Sequence, residues 1–260
     1  MEADYVSVTE VAGDEVSREQ VDRLCSRYYW AGQYCKGKDV IEAACGSGQS
    51  LGYLNNISRT FEAGDYSEEL LSIARQHYGD RIELNQFDAG QMPFEDHCKD
   101  VIILFEAIYY LPDPDQFAKE CTRILRQNGK VLIATANKDL FDFNPSPHSY
   151  KYYGVVELRN LFSRYGFKTE FFGDTPLDSL SIRQIILRPV KKAVVSLGLM
   201  PKSMAGKKIF KRLVFGNLIA MPAEIDDGTT QYVEPSPIPA DKPDTKHKVI
   251  YCTATLDSVK

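Results

Sequence analysis

Short apolar runs alternate with stretches of helical periodicity along most of the 260 residues. In residues 17–36, Val21, Leu24, Tyr28 and Ala31 recur three to four positions apart behind Ser17, which predicts a capped amphipathic helix. Residues 40–44 (VIEAA) then read as a strand and 49–56 (QSLGYLNN) as a helix. A second apolar run closes at Asp65, and Ser67 precedes a helical stripe of Leu70, Leu71 and Ala74. Residues 155–165 read as a helix stopped by Gly166, 167–172 as a strand and 248–255 as a last strand. Strand and helix patterns alternating from 38 to 136 predict a parallel sheet with helices on both faces. Residues 1–15 read as peripheral or poorly ordered.

The turn between the first strand and its helix carries the first chemistry. Gly46 and Gly48 follow the apolar run, so backbone N–H groups can approach a ligand closely. The helix N-terminus behind them adds free donors and partial positive charge. This suits the polar part of a nucleotide-like ligand. The dinucleotide fingerprint G-x-G-x-x-G is not met, because Leu51 holds the third glycine position. Glu42, Gly46, Gly48, Asp65, Asp88 and Glu106 all fall at or just past predicted strand ends, the rim on which such sheets bind ligands.

Glu42-x-x-x-Gly46-x-Gly48 resembles motif I of the class I S-adenosylmethionine-dependent methyltransferases, of the methyltransferase type 11-like group. The resemblance continues in register. Residues 63–75 look like the second motif, with Asp65 at a strand end. Phe87-Asp88-Ala89 followed by Gln91-Met92-Pro93-Phe94 resembles the third. Residues 100–106 resemble the fourth strand, and 121–133 the following helix and fifth strand. The match is dense over 38–136 and looser to about 174.

The resemblance implies an α/β fold: a doubly wound, seven-stranded, mostly parallel sheet with an antiparallel last strand inserted between the fifth and sixth. It implies S-adenosyl-L-methionine as cofactor and no metal. Carried over by position, the cofactor residues are Tyr29, Glu42, Ala44, Cys45, Gly46, Gly48, Asp65, Tyr66, Asp88, Ala89, Phe105 and Glu106. Asp65 would grip the ribose hydroxyls and Asp88 the adenine amino group. Glu42 would either order the glycine turn or approach the methionine amino group through water. Tyr66 and Met92 would sandwich the adenine. Three residues are catalytic candidates: Tyr109 and Tyr110, where the methyl group should emerge, and His148, in a loop overhanging the acceptor pocket. The chain departs from the family pattern in three places. Ala44 replaces the first glycine, Asn128-Gly129 the commoner Pro-Gly-Gly, and Tyr109-Tyr110 a frequent histidine pair.

Composition narrows the classes. A formal net charge of −5 speaks against a general nucleic-acid binder, and no run of 18 apolar residues exists to span a membrane. The acidic, polar N-terminus is unlike a secretory signal, and the six cysteines lack metal-ligand spacing, so the expected compartment is cytoplasmic. There is no hydrolase elbow, zinc signature or P-loop.

The expected organisation is an N-terminal segment and helix (1–36), a Rossmann-like cofactor domain (37–174), an insertion (175–246) and the last strand (247–260). The insertion is unusual. Between Asp178 and Glu224 it carries nine Lys/Arg and no acidic residue, and 183–197 and 206–216 look like basic amphipathic helices. Three readings stand: a lid over an anionic acceptor such as a sugar nucleotide or phosphorylated glycan, peripheral membrane contact through 183–213, or a solvated basic face packed over the sheet. The expected activity is methyl transfer to a hydroxyl or amine of a small molecule, with a sugar or glycan/lipid-linked precursor favoured. The alternatives are a catalytically inactive partner module that keeps the fold, and an NAD(P)-dependent oxidoreductase, which Leu51 and the missing Tyr-x-x-x-Lys pair oppose. Oligomeric state stays open.

Overall fold

The computed structural model describes residues 5–177 and 217–257. The central sheet is built from β2 (Asp39–Ala43), β3 (Thr60–Asp65), β4 (Leu84–Gln86), β5 (Lys99–Phe105), β6 (Leu125–Ala136), β7 (Phe167–Pro176), β9 (Ser236–Ile238) and β10 (His247–Leu256). Their order is β4-β3-β2-β5-β6-β10-β7-β9. Strands β4 to β6 are mutually parallel, and β10 runs antiparallel between β6 and β7. The sheet therefore has eight strands, not the seven expected. The extra edge strand β9 comes from the proline-rich return of the insertion, and pairing with β7 satisfies its backbone groups there.

All five residues of β2 are buried, as a strand covered by helices on both faces must be. On one face lie α1 (Arg18–Cys35), α2 (Leu51–Ile57) and α3 (Glu68–Tyr78); their apolar sides share a core with Trp30, which stacks on Tyr251 at 4.8 Å. On the other face α4 (Pro114–Ile124) and α5 (Val155–Ser163) enclose a second core around Phe117, Leu158 and Phe162. Local chemistry starts these helices where the sequence suggests. The Ser17 and Ser67 hydroxyls accept from Gln20 N–H and Leu70 N–H. Gly166 has φ +79°, the left-handed conformation that ends α5 cheaply.

The N-terminal segment corrects the expectation for 1–15. Residues 5–14 are not peripheral. Ser47 Oγ and Gln49 Nε2 both donate to the Glu10 carbonyl, tying the segment over the glycine turn. Strand β1 (Glu15–Ser17) pairs antiparallel with β8 (Leu218–Ala220), from the far end of the insertion. Residues 217–230 thus form a strap fastened to the rest of the domain. Met221 exchanges backbone hydrogen bonds with Gly13 and Asp14, Ile225 N–H donates to Gln49 O, and Glu224 pairs with His77 and Arg81 on the α3 side. The whole of the basic run 183–213, and both helices read there, lie outside the described residues. Among the described residues no helix is long and apolar enough to cross a membrane.

Candidate active site

The chain leaves β2 in one direction, to β3 and β4, and later returns to β2's other edge with β5 and β6. The loops at the carboxyl ends of β2 and β5 therefore diverge, and a crevice opens between them. A cavity of about 670 Å³ occupies it, within the usual size range of small-molecule sites. Two residues without glycine's freedom sit at positive φ on its rim: Ala44 (+57°) after β2 and Glu106 (+51°) after β5. Such strain persists only where surrounding structure holds it, and it concentrates at functional sites.

Seen from the glycine turn, the cavity wall runs through Ala44, Cys45 and Gly46 to Asp65 and Tyr66, then to Asp88 and Ala89. Asp65 is 7% exposed. Its two oxygens accept from Gly46 N–H and Ser67 N–H at 2.8 Å each, and each keeps acceptor capacity for a ligand. Burial raises its pKa, an effect opposed by those backbone N–H groups. Asp88 Oδ1 accepts from Gly90 N–H, which holds the carboxylate at the mouth; its other oxygen has no partner among the described residues.

At the opposite end, Glu106 is held by two neighbours. Arg27 Nη1 lies 3.4 Å from Oε1, and Tyr109 Oη donates to Oε2 at 3.1 Å. Burial, followed by the Glu106 charge, pushes the Tyr109 phenol well above its ordinary range, so this tyrosine is a neutral donor and not a base. Tyr110 lines the same wall, with its hydroxyl hydrogen-bonded to Ser146. Tyr5 sets its ring against both Tyr66 and Tyr110, giving the mouth an aromatic edge.

Five expected residues stand elsewhere. Met92, expected against the adenine, is buried in the core cluster that holds Phe87 and Phe117 and does not line the cavity. Tyr29 points away, its hydroxyl donating to the Asp226 carbonyl in the strap; one position along α1, Tyr28 is the tyrosine in the wall. Glu42 is fully buried behind the turn and takes hydrogen bonds from Tyr28 Oη (2.6 Å) and Ser50 Oγ (3.3 Å). Burial pushes its pKa up to about 7 against those hydrogen bonds. It orders the turn rather than facing the ligand space. Gly48, at φ +88°, shapes the turn, and its carbonyl accepts from Tyr78 Oη. A side chain at that position would press on Leu51, Ala74 and Tyr78. His148 is solvent-exposed and outside the cavity wall; Tyr150 reaches the wall from the same loop.

Sequence reasoning missed the other half of the enclosure. Thr9 and Glu10 come from the N-terminal segment and Met221 from the strap, while Gln20, Arg23, Leu24 and Arg27 form one face of α1. Arg23 and Arg27, four residues apart beside the apolar stripe of an otherwise buried face, were a readable signal. Thr9, Glu10 and Met221 carried none.

Residues 41–133 match a family model described as a methyltransferase domain. The chain is 31% identical over 140 residues to a probable S-adenosylmethionine-dependent methyltransferase of Mycolicibacterium smegmatis, covering 52% of this chain and 54% of that protein. It is 27% identical over 132 residues to a ubiquinone biosynthesis O-methyltransferase of Pseudomonas syringae pv. syringae, covering 49% and 55%. The chain thus spans about half the length of the curated relatives it matches. An S-adenosylmethionine-dependent methyltransferase from Thermotoga maritima, of known crystal structure, superposes with a TM-score of 0.58 over 92% of both chains at 13% identity, which shows the fold.

Over residues 41–133, then, the chain is similar to methyltransferase domains, and the relatives support S-adenosyl-L-methionine rather than a nicotinamide dinucleotide as its cofactor. The donor set fits that group: a carboxylate for a ribose diol at Asp65, another for an exocyclic amine at Asp88, and the apolar Leu70, Phe87 and Ala89 beside them for a purine face.

Proposed function

We propose that this protein transfers a methyl group from S-adenosylmethionine to a hydroxyl or amine of a small-molecule acceptor. The observation that carries the reading is the placement of Asp65, Asp88 and the Gly46 turn around one end of a single cavity, with Glu106, Arg27 and Tyr109 at the other. On this reading Ala44, Cys45, Gly46, Asp65, Tyr66, Asp88, Ala89, Phe105 and Glu106 contact the cofactor. When bound, the cofactor supplies a methyl group on an excellent leaving group. The chain's own task is then mainly alignment. Glu106 accepts the proton that the acceptor O–H or N–H loses as its new bond to carbon forms. Arg27 and Tyr109 hold that carboxylate in place. Tyr110 and Tyr150 exclude water at the mouth, and their ring faces suit a sulfonium charge.

The Pseudomonas relative, named as an O-methyltransferase, supports an oxygen acceptor. A sugar or glycan/lipid-linked precursor, and membrane contact through 183–213, are the finer parts of the proposal. They rest on the basic composition of the insertion. The deciding experiment is calorimetric titration with S-adenosylmethionine, S-adenosylhomocysteine and NADH. Micromolar binding of the first two without NADH supports the reading. NADH binding alone overturns it, and binding of none favours the inactive partner module.

A further inference from the structure

The face of α1 that closes the cavity raises a question of charge. Gln20, Arg23 and Arg27 occupy it, and the Nε atoms of both arginines are buried without a hydrogen-bond partner among the described residues. A buried, unpartnered donor costs stability unless something else satisfies the group. The nearby carboxylates are taken. Glu106 holds Arg27 and Tyr109. Glu19 pairs with Lys248 and comes no closer than 4.0 Å to Arg23. Glu10 accepts from the Gln20 amide. Arg23 is therefore a guanidinium on a cavity wall whose one ion pair among the described residues is a loose one, to a Glu19 that Lys248 also holds.

Its helix also reaches the far strands of the sheet. Glu19, one turn before Arg23, bridges to Lys248, the neighbour of Val249. Val249 pairs with Ala136 at the end of β6, and both residues line the cavity. In sheet order β6 is two strands from β2, roughly 10 Å at the spacing of neighbouring strands. Arg27, four residues further along α1, touches Glu106, so Arg23 stands about 6 Å along the helix axis from the arginine that holds the proposed proton acceptor.

We propose that the acceptor carries an anionic group, a carboxylate or a phosphate, and that Arg23 binds it at the β6/β10 end of the cavity while the methylated hydroxyl or amine lies at Glu106. This deepens the methyltransferase reading and rests on it. A planar fork with several donors matches either anion in a bidentate manner, which a lysine would not. The apolar Met221, Ala136 and Val249 would pack against the carbon frame between the two groups.

The test uses inorganic phosphate as the probe, titrated calorimetrically at constant ionic strength into the wild type, Arg23→Gln and Arg23→Lys, each with and without saturating S-adenosylhomocysteine. Expected are millimolar phosphate binding to the wild type, at least a tenfold loss in Arg23→Gln and partial recovery in Arg23→Lys. Affinity for S-adenosylhomocysteine should stay within twofold of wild type in both variants. Unchanged phosphate affinity in Arg23→Gln, or no binding to the wild type, overturns the proposal. A tenfold loss of S-adenosylhomocysteine affinity in Arg23→Gln also overturns it, because the arginine would then serve the cofactor's own carboxylate. If S-adenosylhomocysteine fails to bind the wild type, it is the methyltransferase reading that fails, and the titration without it still reads the anion site. Arg23 is part-exposed, so Arg23→Gln should melt within a few degrees of the wild type.

Discussion

The two ends of the cavity are built in opposite ways. The end around Asp65 and Asp88 comes from the loops after three consecutive strands, β2, β3 and β4, between Ala44 and Ala89, held by backbone N–H groups that donate to the two carboxylates. The end around Arg23 and Glu106 is assembled from the N-terminal segment, α1, the loop after β5 and a strap about 200 residues downstream of the N-terminal segment it pairs with. The first is short-range and rigid. The second depends on pairings such as β1 with β8, and on a Tyr29 hydroxyl reaching the Asp226 carbonyl. A cofactor common to a whole class can be met by a local motif, whereas an acceptor particular to one member is met by whatever distant segments can be folded over it.

Breaking the proposed catalytic contact should have the largest effect. Glu106→Gln is expected to lower kcat about 10²–10⁴-fold, the usual contribution of a general base, with S-adenosylhomocysteine affinity nearly intact. A kcat within fivefold of wild type would mean that alignment alone suffices. At the other end, Asp65→Ala should weaken cofactor binding at least about tenfold, since hydrogen bonds to a charged group contribute about 1.5–3 kcal/mol. Calorimetry that finds the affinity unchanged would remove the carboxylate from the cofactor site.

Glu42 sharpens the comparison through pH. Its folded-state pKa is raised by burial to about 7, above the ordinary 4.5. The folded protein therefore holds this proton more tightly than the unfolded chain does. Any stability linked to it is present below about pH 4.5 and is lost as pH rises toward 7, by about 3 kcal/mol at most. Glu42→Gln keeps an acceptor for Tyr28 and removes the titration. The variant should gain thermal stability relative to wild type between pH 5 and 7.5 and show no relative gain below pH 4.5. A constant difference in melting temperature across that window would refute the linkage.

The smallest effect belongs to the strap. Glu224→Ala removes the pairs to His77 and Arg81, which are largely exposed. Such pairs are worth roughly 0–1 kcal/mol, so the melting temperature should barely move. Cofactor affinity should hold, and the acceptor KM should rise as Met221 loses its anchorage. A change in cofactor affinity instead would show that the two ends are coupled.

Much of the first end was legible before folding. Gly46, Asp65 and Asp88 sit at fixed offsets from apolar runs, and strand polarity alone carries them to one rim. Two neighbours in that sequence window were misjudged for a physical reason. Side chains of successive strand and helix positions point in different directions, so Glu42 turned inward under the loop while Tyr28, not Tyr29, turned toward the cavity. His148 was placed by loop position only, and the loop presents Tyr150 instead. The eighth strand was unreadable because three residues around a proline become a strand only when β7 offers them partners.

By itself, then, the sequence determined the alternation of strands and helices, the caps that start the helices and the carboxylates at the strand ends. These depend on periodicity and on groups a few residues apart. Tertiary structure alone decided that residues 5–14 and 217–230 close the cavity, that Arg23 stands on its wall, and that Glu106 lies between Arg27 and Tyr109. Those facts depend on segments brought together across up to some two hundred residues, and no local pattern encodes which backbone groups will be left to pair at that distance.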